Sequence, residues 1–198
     1  MVARAGRTLP EVLAVLAIAG LASLGAGRSL APVARARSVE GAARSLAARF
    51  RLLALAAQSD GRDRAVVFPV EGADEPFRVV RDGDGDGPGR DDVAAGIDPV
   101  VDGPLTIARE FPGVRIGRPS WPALPDLPPS RRLLDPRDPA VRFGRARMAV
   151  LTREGSATAG SLFVTDGEDA LCAVVVTGAT ARVRTWCFDR GRWAWRLR

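Results

Sequence analysis

The sequence predicts an α+β protein: a long, kinked N-terminal helix with a membrane-spanning first half, packed on an antiparallel β-sheet head. Three observations predict it. An uncharged run opens the chain between Val12 and Ala26. A stretch with helical apolar spacing follows it as far as Asp60. From residue 65 onward, short β-branched runs alternate with Gly, Asp and Pro turns. The boundaries that follow are 1–6 for a basic leader, 7–60 for the helix and 61–198 for the head.

The opening segment, Gly6 to Gly25, reads GRTLPEVLAVLAIAGLASLG. A transmembrane helix needs about 20 mostly apolar residues, with a lower limit of about 17. The run from Val12 sits near that limit. A secretory signal peptide places its small-residue cleavage site after the apolar region. Here the glycine precedes it, and a carboxylate, Glu11, stands at its head. Burying an unpaired carboxylate in hydrocarbon costs several kcal/mol. In a filament of identical helices, a neighbouring chain's N-terminal amine would neutralise it. An ordinary uncleaved anchor or signal peptide is the alternative reading.

Pro32 follows the apolar run and predicts a kink, because proline removes a helical hydrogen bond. Beyond it, Val39, Ala43, Leu46, Phe50, Leu53 and Ala57 recur at 4-3-4-3-4 spacing. That is one stripe of an amphipathic helix. Ser59, Asp60 and Gly61 stop it. The stripe predicts packing on the chain's own head.

Composition narrows the function classes. The net charge is +6, and every basic residue is arginine. Anionic partners and a general bias toward Ala, Gly, Arg and Pro both fit that excess. Histidine is absent. That removes His-based acid–base catalysis, Ser-His-Asp triads and His metal sites. Two cysteines, Cys172 and Cys187, are too few for a four-thiolate zinc site. An enzyme is therefore not expected.

In the head, Ala65–Val70 and Phe77–Arg81 are predicted strands, with weaker ones at Leu105–Glu110 and Val114–Ile116. A short helix is predicted from Asp91, which would cap it. Residues 118–139 are proline-rich and read as a long irregular loop laid on the domain through Trp121 and its leucines. A ligand for a proline-recognition module is the alternative. The last third reads as an antiparallel meander: Arg147–Leu151, Gly160–Thr165, Leu171–Thr177, Arg182–Phe188 and Arg192–Leu197.

Two resemblances come from these residues. A leader ending in Gly6, then Arg7, Thr8, Leu9, Pro10 and Glu11, resembles the class III signal of type IV pilins and type II secretion pseudopilins. Arg7 stands where that family typically has Phe. The resemblance implies a pilin-like fold, cleavage after Gly6 by a prepilin peptidase, N-methylation of Arg7, and Glu11 as the filament-assembly carboxylate. The pieces Arg142-Phe143, Gly160–Thr165, Thr177-Gly178 and Arg182–Arg184 resemble the GspH/FimT minor pseudopilins. The function implied is a structural subunit of a type II secretion pseudopilus. Its partners would be other pseudopilins or pilins, and it would be held single-pass in the inner membrane with a periplasmic head. Some FimT-type pilins bind DNA through a basic segment near the C-terminus, which here falls on Ala181–Arg184. That makes Arg182 and Arg184 the nucleic-acid residues of an alternative, DNA-uptake reading.

Two further constellations stand out. Asp82, Asp84, Asp86 and Gly87 match D-x-D-x-D-G, the first half of a calcium-binding loop. The twelfth position is Val93 and not Glu, so Asp91 or Asp92 would have to close the shell. A solvated acidic turn is the other reading. The cysteines form the second pair. A turn centred on Ala179-Thr180 sets Cys172 opposite Cys187, close enough for a cross-strand disulfide. Two free, packed cysteines are the alternative. In the tail, Arg182, Arg184, Arg190, Arg192, Arg196 and Arg198 interleave with Trp186, Trp193 and Trp195. That pattern suits phosphate contact and base stacking, or a hairpin with solvated arginines over a tryptophan core.

Overall fold

A computed structural model describes residues 9–69, 76–121, 124–130, 132–135 and 137–198, with the side chains of 18–32 outside that description. The chain divides into two units, Met1–Arg35 and Ala36–Arg198. Helix α1 (Leu9–Asp60) begins in the first unit and ends in the second. It is assigned without a break through Pro32.

The expected membrane-spanning first half is corrected. Among the described residues no helix is long and apolar enough to cross a membrane. The uncharged stretch after Glu11 ends at Gly27, just short of the roughly 17 residues that a bilayer core requires. Arg28, Arg35 and Arg37 follow within the same helix. The fold class of a transmembrane half-helix on a β head, the inner-membrane single-pass anchor and the periplasmic placement derived from it all fall with that finding. What stands is a mostly antiparallel β protein with one long helix.

In the second unit the helix packs by the stripe its spacing predicts. Val39, Ala43, Leu46, Phe50 and Ala57 are buried, and Leu53 is half-buried. Ala42, Ala47 and Ala54 widen the stripe, since small residues let strands approach the helix backbone. Arg44 points outward and pairs with Glu40 one turn back at 2.6 Å.

The strands form two sheets where one meander was expected. The first has the order β3-β2-β1-β6, from β1 (Arg64–Val67), β2 (Phe77–Arg81), β3 (Val100–Leu105) and β6 (Met148–Leu151). The second has the order β10-β9-β8-β7-β4. Its strands are β4 (Arg115–Ile116), β7 (Gly160–Thr165), β8 (Leu171–Val176), β9 (Val183–Asp189) and β10 (Ala194–Leu197), with β5 (Val141–Arg142) also paired to β7. Within the 147–197 stretch, β6 leaves the meander and pairs with β1, setting Ala65 opposite Val150 and Val67 opposite Met148. The expected strand at Leu105–Glu110 resolves into the end of β3 and a single-turn helix, α3 (Ile107–Glu110).

One apolar cluster joins α1 to the inner faces of both sheets, through Val66 and Phe68 on one and Val164, Val174 and Val183 on the other. Phe143 is its aromatic keystone. Its ring stacks on Phe68 at 5.8 Å and 4°, and lies 5.8 Å from Phe50 of the helix. Gly160 begins β7 directly beneath it. A Cβ there would come within 2.3 Å of the Arg142 carbonyl and 2.4 Å of the Phe143 ring, so only glycine lets β5 and β7 meet.

Each sheet is also covered on its outer face. On the first sheet, Ala65, Val80 and Met148 lie beneath Val93 of helix α2 (Arg90–Ala95). On the second, Leu124, Leu127 and Leu134 of the proline-rich loop cover Phe163, Leu171 and Phe188. The loop is tied down at several points. The Trp195 indole donates to the Pro125 carbonyl at 2.8 Å, and Trp121 donates to the Glu168 carbonyl at 2.7 Å. Arg142 bridges Asp126 at 2.9 Å and Asp138 at 2.8 Å. Burial, together with the nearby Arg142 charge, pushes the Arg118 guanidinium pKa below its ordinary value.

Candidate functional site

The sequence-derived site residues fall into four places. Gly6 and Arg7, the expected cleavage and methylation residues, lie outside the described residues. Glu11 sits in the first turn of α1 and is exposed. Around it Leu9, Leu13, Val15 and Leu16 are exposed, Leu9 at 75%. An apolar helical surface of this kind is what an interaction face needs.

The cysteines occupy facing positions on β8 and β9 and are joined in a disulfide, with their Cα atoms 4.0 Å apart. The turn centred on Ala179-Thr180 is closed by the Thr177 amide donating to the Arg182 carbonyl at 2.9 Å, and it sets this register by pairing Val176 with Val183. Both cysteines are buried in the main core.

Arg182 precedes β9 and Arg184 lies on it, both exposed, while Val183 and Thr185 between and beyond them are buried. Arg184 faces Val175 on β8, and Trp186 faces Leu197 on β10. Among the described residues, neither arginine enters an ion pair or a side-chain hydrogen bond. Three other tail arginines, Arg190, Arg196 and Arg198, are engaged. Arg190 pairs with Asp169 and lies 4.9 Å from the Trp121 ring centre, and Arg196 pairs with Asp189 at 3.0 Å. Trp195 packs on Phe163 and Phe188, so it belongs to the outer core.

The fourth place is the acidic turn between β2 and α2. Asp82, Asp84 and Asp86 each bring a carboxylate oxygen within 4.8 Å of the others. Asp91 does not join them; it lies exposed in the first turn of α2. Gly89 and not Asp91 occupies the cap position of that helix. The turn is held by a residue that spacing did not single out. Asp98 is 1% exposed, and its two oxygens accept the Gly83 amide at 3.0 Å and the Gly89 amide at 2.8 Å. Its sequence signature is Asp98-Pro99, which locally reads only as a turn. Gly83 is pressed against this clamp, since a Cβ there would meet the Ile97 carbonyl at 1.9 Å. Replacing Asp98 with alanine should strand two amides and cost about 1–3 kcal/mol, measured as a lower urea midpoint. A loss within about 0.5 kcal/mol, the usual range for surface changes, would show that the clamp is dispensable.

The electrostatics of the turn are unfavourable as it stands. Asp84, through direct contact and through its charge, pushes the Asp86 pKa up, and Asp92 and Asp82 add to the effect. Asp82 is 1% exposed. Its Oδ1 accepts the Gly85 amide at 2.8 Å, while its Oδ2 is buried with no hydrogen-bond partner. A buried polar group left without a partner costs about 1–3 kcal/mol, and more when charged. Compared with known proteins, the chain matches no family model, no curated protein and no solved structure.

Proposed function

We propose that this chain is a minor pseudopilin, a structural subunit of a type II secretion pseudopilus that assembles through its N-terminal helix. The observation that carries the reading is the opening of α1. Leu9, Val12, Leu13, Val15 and Leu16 present exposed apolar side chains around one carboxylate, Glu11. Such a surface needs helices to pack against. In a filament of like subunits, a neighbour's N-terminal amine would pair with Glu11. The order of Gly6, Glu11 and the apolar run supports the same reading, as does a β-rich unit whose own helix segment is already packed.

The mature N-terminus tests it. Intact-mass spectrometry of the chain recovered from its native cells should find a protein that begins at Arg7 and carries one added methyl group, after cleavage by a prepilin peptidase. A chain that begins at Met1, or is cut after Ala26, contradicts the proposal. Replacing Glu11 with alanine should strip the subunit from filaments. Removing one partner of a buried ion pair costs about 3–5 kcal/mol, or more than a hundredfold in incorporation. The readout is co-purification with the other filament subunits.

A second reading, a DNA-binding minor pilin of the uptake type, is favoured by one observation: Arg182 and Arg184 stand side by side on one face, exposed and unengaged among the described residues. A salt-dependent mobility-shift assay separates the two. Binding that disappears in Arg182→Ala/Arg184→Ala supports uptake, and no binding at low salt removes it.

A further inference from the structure

We propose that the turn at residues 82–86 is a calcium site, with Asp82, Asp84 and Asp86 as its carboxylate ligands. The turn joins β2 to α2 and uses none of the residues on which the filament reading rests.

Two separate observations meet here. The first is the convergence of three carboxylates to within 4.8 Å. The second is Asp82 Oδ2, a buried oxygen that no donor among the described residues satisfies. Asp82 is 1% exposed and is itself one of the three converging carboxylates, so the buried unmet oxygen belongs to the same carboxyl group. In a chain with 29 basic residues, an arginine would be the ordinary answer. None supplies it. Arg62 donates to the Gly83 carbonyl at 3.3 Å, and Arg153 pairs with Glu154 at 2.9 Å. Among the described residues, no ion pair reaches Asp82, Asp84 or Asp86. A bound cation fills both needs at once. It neutralises the crowded carboxylates and gives the buried oxygen a partner.

The donor set selects the ion. All-oxygen ligands suit a hard cation, and the absence of histidine with both cysteines in a disulfide excludes the usual zinc donors. Magnesium keeps most of its water and engages one or two carboxylates, whereas calcium takes six to eight oxygens at flexible geometry. Three carboxylates on one short turn, with backbone carbonyls and water to complete the shell, match calcium. Asp98 is not among the converging carboxylates, and its two oxygens accept amides. It holds the two ends of the turn in place.

Calorimetric titration of the full chain with calcium chloride, after treatment with a chelator, tests the assignment. One site is expected, with a Kd of about 10⁻⁴–10⁻³ M, the range of loops with few charged ligands. The thermal midpoint should rise with calcium concentration. Asp84→Asn/Asp86→Asn should weaken binding at least about tenfold, because affinity follows ligand charge. Both side chains are exposed, so this variant keeps the fold, as its near-ultraviolet circular dichroism should report. Asp82→Asn should abolish binding, and if that variant does not fold, the exposed pair still decides. No binding heat at millimolar calcium, an unchanged Kd in Asp84→Asn/Asp86→Asn, or equal affinity for magnesium would each overturn the proposal.

Discussion

Replacing Phe143 with alanine lowers the unfolding free energy by about 3–5 kcal/mol, the cost of emptying a large aromatic site in a core. The size of the effect follows from where the ring sits. It is 1% exposed, stacks on Phe68 and meets Phe50, so it ties β5 to the first sheet and to α1 at one point. Removing it opens a hole bounded by three elements, none of which can move without losing its own contacts. Urea unfolding followed by tryptophan fluorescence reads the loss as an earlier midpoint at nearly constant slope. Phe143→Leu keeps most of the volume and should lose clearly less. A loss below about 1 kcal/mol in the alanine variant, the scale of a single buried methylene, would mean that the three elements are held together elsewhere.

Removing the disulfide is the second large effect. Cys172 and Cys187 are 15 residues apart. Closing a loop of that length restricts the unfolded chain by about 3 kcal/mol. Cys172→Ala/Cys187→Ala should therefore be less stable than the oxidised parent by about that amount. Reductant should shift the parent's midpoint toward the variant's and leave the variant's unmoved. The β8–β9 hairpin keeps its register in the variant, because that register comes from the turn and from the buried positions of both strands. An equal midpoint for parent and variant would mean that the bond does nothing for stability.

What was legible in the sequence follows the range of the forces involved. Phe77–Arg81 and Gly160–Thr165 form strands over the very residues that their β-branched content indicates. The facing of Cys172 and Cys187 was legible because a short turn centred on Ala179-Thr180 sets register over a few residues. The buried stripe of α1 was legible from 3.6-residue spacing. Long-range choices were not. Nothing local tells Met148–Leu151 to leave its neighbours in sequence and pair with Arg64–Val67; the shared core with α1 decides that. The apolar run from Val12 suggested a membrane span because its composition outweighed its length. At the acidic turn, the spacing of Asp82, Asp84 and Asp86 was visible. The burial of Asp82 and the clamp at Asp98 were not, since both depend on how β2 meets the segment after α2.

The free rims of the two sheets carry a last consequence. Unpaired strand edges invite a second chain to add itself, and natural proteins blunt them with charge, proline or irregular pairing. On β3, Gly103-Pro104 removes a donor, and its pairing with β2 slips in register at two places. The open side of β6 is occupied by the chain itself, with Thr158 donating to Val150 at 2.8 Å. β10 carries Arg196, with Arg198 just beyond it. At these three rims the domain is a poor template for its own copies. Association through these three rims is disfavoured, which leaves them to contacts made by side chains.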